Sequence, residues 1–181
     1  MSGKGSAKKE TGGSDGNDRF RRQIPWRKRP AHGGGDRRIA RRRAVVAWIV
    51  DTCMLIDVAE GDPQFARRSG RMLDRRRTAG LLIAPVSYIE LSPLFDGIEA
   101  VQNDFLEAIG VHWIQGWIWP DTIAAHRAWH MYMLKRRRGQ IKKPPVADIL
   151  IGAFASRFDG LLTRNAKDFR VLFPDLRIDT P

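Results

Sequence analysis

Cysteine is nearly missing: Cys53 is the only one among 181 residues. No internal disulfide can form, which suits a reducing compartment. Long apolar runs are missing too. None approaches the ~18–20 residues of a membrane-spanning helix. The opening MSGKGSAKKETGGSDGND contains no apolar signal-peptide core. These absences lead to the expectation of a cytoplasmic protein with no membrane role. Residues 1–44 have almost no aliphatic side chains before Ile39. A segment with so little apolar surface to bury cannot offset its ordering entropy, so a disordered basic tail is expected there.

Acidic residues are scarce in the same stretch. The chain carries a formal net charge of +12. Residues 1–45 hold 14 Lys and Arg against 4 Asp and Glu, a net +10, whereas residues 46–181 hold 18 against 16, a net +2. The excess suggests a polyanionic partner, nucleic acid before an anionic membrane surface. It belongs mainly to the tail, where Arg21, Arg22 and Arg41 to Arg43 either touch phosphates or simply keep the chain in solution. Residues 45–181, the expected folded domain, are nearly neutral and must be judged by their motifs.

That domain opens on VVAWIV, residues 45–50, a β-branched apolar run of the kind buried on both faces of a sheet. Further short strands are expected at 81–85 (LLIAP), 111–114 (VHWI), 161–163 (LLT) and 176–179 (LRID). Helical stretches lie between them: one around Met54 to Val58, one over 64–78, one from Ser87, one over 99–109, and a long one from Asp121 to about Arg138. Pro145 opens the helix VADILIGAFASRF, since proline suits a first helical turn. Alternation of this kind predicts an α/β fold with a parallel sheet covered by helices on both faces. Ligands of such sheets gather at the carboxyl ends of strands, which draws attention to Asp51 and to the loop after Thr163.

Four carboxylates fall at element edges next to apolar sequence: Asp51, Glu90, Asp148 and Asp168. Carboxylates brought together repel and cannot all stay ionised without a counter-charge. A hard divalent cation such as Mg²⁺ supplies one and prefers oxygen ligands. One or two such ions activate water and stabilise the charge on a scissile phosphate, which is phosphodiester chemistry. Each residue also has a plainer role available. Asp51 can simply end a strand. Glu90 can close a capping box with Ser87. Asp148 suits the first turn of its helix through the helix dipole, and Asp168 suits a turn.

The order of motifs is more specific than any one acid. IVDTCMLID at 49–57, PVSYIEL at 85–91, ADILIGAFA at 147–155 and LLTRNAKDF at 161–169 resemble the four signature regions of the PIN-domain family. The closing LFPDLRIDTP resembles the usual end of its VapC-like members, toxins of bacterial toxin–antitoxin pairs. The resemblance covers roughly residues 46–181. It implies a PIN-like three-layer α/β/α sandwich and an Mg²⁺- or Mn²⁺-dependent endoribonuclease acting on RNA. It also implies a homodimer restrained by an antitoxin protein. By motif match Asp51 and Asp148 hold the metal and Glu90 fills the second acidic position. The fourth position lies between Asn165, where many relatives carry an acid, and Asp168, the nearest acid. Thr52, Thr163 and Asn165 stand where they would hydrogen-bond metal-bound carboxylates or water. The amide at 165 and the basic tail also suit an alternative, a catalytically inactive PIN-like module that binds RNA or a protein partner.

Other residues are weighed in the same way. Cys53 is expected to be a small packed side chain, because no histidine motif accompanies it. Its position also argues against a phosphatase of the haloacid dehalogenase type, which needs a second aspartate there. Asp57 suits a helix end. His112, His126 and His130 lack a zinc-ligand pattern. Arg136 to Arg138 with Lys142 and Lys143 form a basic loop suited to an RNA backbone or to solvent. Arg75 to Arg77 suit a solvated helix face. Trp113, Trp117, Trp119 and Trp129 suit core or interface packing better than base stacking.

Overall fold

The computed structural model describes residues 46–139 and 145–181, all within one compact unit spanning Arg41–Pro181. The expected tail lies outside the described residues, as do Lys142 and Lys143.

Five strands form one parallel sheet: β1 (Trp48–Val50), β2 (Leu81–Leu82), β3 (Val111–His112), β4 (Gly160–Leu162) and β5 (Ile178–Asp179). Their spatial order is β3-β2-β1-β4-β5. Seven α-helices accompany them among the described residues: α1 (Thr52–Glu60), α2 (Ala66–Arg76), α3 (Pro85–Leu91), α4 (Glu99–Ala108), α5 (Trp119–Arg137), α6 (Val146–Ala155) and α7 (Ala166–Leu172). The expected α/β sandwich with a central parallel sheet is what these residues form.

Alternation of side chains along the strands separates the two outer layers. Ile49 and Leu161 face Ala128 and Tyr132 of α5, Ile149 and Phe154 of α6 and Phe169 of α7. Trp48, Val50 and Leu162 face Met54 and Leu55 of α1, Met72 and Leu73 of α2, Leu91 of α3 and Leu106 of α4. β1 is buried along its whole length, so its apolar run has no polar face to show. Each such side chain taken out of water stabilises the fold by roughly 1.5–3 kcal/mol.

The strands are shorter than the sequence suggests. LLIAP is not one strand: β2 ends at Leu82, although the Ile83 N–H still donates to the His112 carbonyl at 3.0 Å, Ala84 is the extended N-cap, and Pro85 takes the first position of α3. The expected helix start at Ser87 is therefore two residues late. Ser87 is fully buried inside the helix and its hydroxyl has no partner among the described residues, so it forms no capping box with Glu90. Asp121 likewise sits three residues beyond the N-cap Ile118, whose backbone N–H donates to its carboxylate at 3.0 Å. Helix α7 was not foreseen, because seven residues give too few turns for a readable period. Arg76 is not merely solvated: it reaches Asp179 of β5 at 2.6 Å and lies over the Trp48 ring at 4.4 Å.

Candidate active site

The chain leaves β1 toward β2 on one side and returns as β4 on the other, so the connections diverge at the carboxyl ends of these neighbours. Such a switch point opens a crevice between helix starts. The carboxyl ends of β1 and β4 lie side by side, with Val50 paired to Leu162. The residues that follow are therefore adjacent: the Asp51 N–H donates to the Leu162 carbonyl at 2.9 Å.

Asp51 occupies the N-cap of α1, yet its side chain makes no cap bond. A capping carboxylate is worth about 1 kcal/mol to a helix, and here that bond is forgone. Its Oδ2 accepts from Thr163 Oγ1 at 2.6 Å and from Cys53 Sγ at 3.1 Å. Thr163 is fully buried, and its hydroxyl oxygen accepts the Asn165 backbone N–H at 2.9 Å. A relay of donors from the loop after β4 thus fixes the Asp51 rotamer. Asp51 Oδ1 takes no hydrogen bond from a described residue.

Asp51, Thr52, Cys53, Glu90, Asp148 and Asn165, with Ile56 and Ile151, line one open cavity of about 410 Å³. Glu90 comes from near the end of α3, where its Oε2 accepts from Thr52 Oγ1 at 2.6 Å. Asp148 comes from the first turn of α6. Both aspartates therefore stand at helix N-termini, where the aligned peptide dipoles favour negative charge. Asn165 comes from the N-cap of α7. Asp168 is exposed and outside the lining. Its Oδ2 accepts from Asn165 Nδ2 at 2.9 Å, so it orients the amide from behind. Thr163 also lies behind the lining and acts through Asp51.

Cys53 is more involved than a packed side chain. Burial, reinforced by the negative charge of Asp51, pushes its thiol up to about 11. It therefore stays protonated at neutral pH and serves Asp51 as a donor; it is no nucleophile. The helical spacing of Ile56 after Thr52 and of Ile151 after Asp148 is the signal that places these two apolar residues at the cavity wall. Asp57 stands in the last turn of α1, where its carbonyl accepts the Gly61 cap N–H, and its side chain has a further role. It is 2% exposed and held by Ser69 and Arg164. None of the described tryptophans lines the cavity. Trp117 stacks near Phe154 at 6.3 Å between centroids, Trp129 tilts on Tyr132 at 5.2 Å, and Trp119 is 72% exposed.

The donor set fits a hard divalent cation. Carboxylate and amide oxygens dominate it. Among the described residues no three His, Cys, Asp or Glu side chains stand close enough to chelate one ion together.

Neither the protein-family models nor the curated proteins include a match to this sequence. A search of solved structures finds a likeness to a chain in the crystal structure of VapBC2 from Rickettsia felis bound to a DNA fragment from their promoter. The TM-score is 0.51 at 14% sequence identity, covering 75% of this chain and 98% of that one. The likeness is one of fold. It spans nearly all of the other chain. No helix among the described residues is long and apolar enough to cross a membrane.

Proposed function

We propose that the chain is a divalent-metal-dependent endoribonuclease and acts as the toxin of a toxin–antitoxin pair in the cytoplasm. The observation that carries this reading is the convergence of Asp51, Glu90, Asp148 and Asn165, from four separate elements, on one cavity at a switch point. The fold likeness to a chain of a VapBC2 assembly supports it, as do the four sequence regions that resemble PIN-domain signatures. An antitoxin occupying the cavity and a homodimer are part of the same proposal.

Asp51 and Asp148 would hold the cation, with Asp51 contributing the oxygen that Thr163 and Cys53 leave unused. When bound, Mg²⁺ or Mn²⁺ supplies a Lewis acid for the phosphate and acidifies its own water. Glu90, fixed through one oxygen by Thr52, can take a proton from an attacking water with the other. Asn165 keeps its amide oxygen away from Asp168 and offers it to water or to a ribose hydroxyl. Ile56 and Ile151 present an apolar wall that lowers the local dielectric and strengthens these interactions.

The full chain is expected to cleave single-stranded RNA in Mg²⁺ or Mn²⁺, to stop when chelator is in excess, and to resume when metal is restored. Asn165 in place of an acid favours one rival, an inactive module that binds RNA or a protein. On that reading cleavage is absent under all three conditions, Mn²⁺ binding is independent of Asp51, and RNA affinity falls when residues 1–44 are removed.

A further inference from the structure

The Asp57 carboxylate lies away from the cavity, at 2% exposure inside the α1–α2 layer. A charge taken that far from water is costly unless it is paired and hydrogen-bonded. Both conditions are met. Oδ2 accepts from Ser69 Oγ at 2.7 Å, and Oδ1 pairs with Arg164 Nη2 at 2.9 Å. The Arg164 guanidinium also lies over the Phe65 ring, 4.2 Å from its centroid. Asp57 of α1 and Phe65 of the α1–α2 connection thus grip the Arg164 side chain, and Ser69 of α2 holds Asp57 in place.

Arg164 stands between Thr163 and Asn165, the two residues that reach into the site. Successive side chains of an extended segment point to opposite faces. Leu161 faces the α5–α7 layer and Leu162 the α1–α4 layer. Continuing that alternation turns Thr163 toward Asp51 and Arg164 toward Asp57, as their bonds show. Seizing Arg164 from one side therefore fixes the rotation of the loop that presents Thr163 and Asn165 from the other. Asp57 is the buried member of this pair, while the Arg164 side chain is 31% exposed; fixing a register is the best-attested use of such pairs.

We propose that Arg164 is a positioning residue, clamped by Phe65 and by an Asp57 that Ser69 holds, so that Thr163 holds Asp51 and Asn165 faces the cavity. What the cavity then does rests on the reading above, but the clamp itself is independent of it.

The test is amide hydrogen exchange on the full chain without metal. In Asp57→Asn/Arg164→Met no charge is left unpaired and the stem over Phe65 is kept. The Asn165 amide, bonded to Thr163 Oγ1, is expected to exchange at least about tenfold faster than in the wild type, as a locally opened segment does. Leu161 and Leu162 amides should be unchanged. Arg164→Lys, which keeps the charge, should restore most of the protection. Unchanged exchange at Asn165 in the folded double variant overturns the proposal, as does acceleration spread equally over β1, β4 and the loop. Should the double variant fail to fold, Asp57→Asn alone keeps the Ser69 bond and the volume, and the same two patterns decide. Wild-type protein that does not cleave RNA would refute the nuclease reading and leave this result standing.

Discussion

Asp51→Asn is expected to lower RNA cleavage on the order of 10³-fold, corresponding to several kcal/mol of metal-dependent transition-state stabilisation, while the protein stays folded. The amide preserves volume and keeps one oxygen for Thr163 Oγ1 and Cys53 Sγ. What disappears is the charge. A cation held by one or two direct carboxylates loses much of its attraction when one becomes neutral, and the remaining groups cannot compensate because no third acid stands at chelating distance among the described residues. The cost to the fold is small by comparison. Exchanging hydrogen bonds to a charged acceptor for bonds to a neutral one loses about 1 kcal/mol. Cleavage of a quenched fluorescent RNA, read beside a denaturant melt, separates the two effects. A folded variant that cleaves like the wild type would remove Asp51 from the mechanism.

Gly152→Ala is expected to destabilise the protein by about 1–2 kcal/mol, the reverse of what the same change does in an ordinary helix interior, where it gains about 1 kcal/mol of propensity. A Cβ built on Gly152 would run into Phe173 Cε2 and lie 2.5 Å from Cδ2. Phe173 is a buried member of the α5–α7 core, so the ring cannot simply leave. Overpacking of this kind costs about 1–3 kcal/mol and outweighs the helical gain. Part of the relief has to come from sliding α6, which carries Asp148 one turn upstream of Gly152 on the same face. RNA cleavage should therefore fall along with stability. A melt showing Gly152→Ala to be about 1 kcal/mol more stable would mean that the close contact with Phe173 is not made in solution.

The layers were legible in the sequence because the strand signals are chemical. VVAWIV has no polar residue in it, and Asp51 ends it with a charge too costly to bury without a purpose. The four site-bearing regions could be ordered along the chain for the same reason. Boundaries were less legible. β2 and β3 have two residues each, a single period of alternation, so Ile83 to Pro85 read as more strand although they lead into α3. Ser87 and Glu90 match a capping box in spacing, but Pro85 had already started the helix, and Thr52 takes Glu90 instead. The choice between Asn165 and Asp168 turns on where α7 begins. With Asn165 at its N-cap, the amide faces the cavity and the acid lies behind it. The pairing of Asp57 with Arg164 is a tertiary fact joining α1 to the loop after β4, and no local pattern announces it.

The most direct test of the central claim is anomalous scattering from a crystal of the full chain grown with Mn²⁺. A peak within about 2.0–2.6 Å of an Asp51 oxygen, the range of hard-cation bonds to oxygen, with Asp148 in contact directly or through water, is the predicted result. Full manganese saturation in solution with no peak in this cavity, or a peak bound by other residues while Asp51 touches only Thr163 and Cys53, would contradict it.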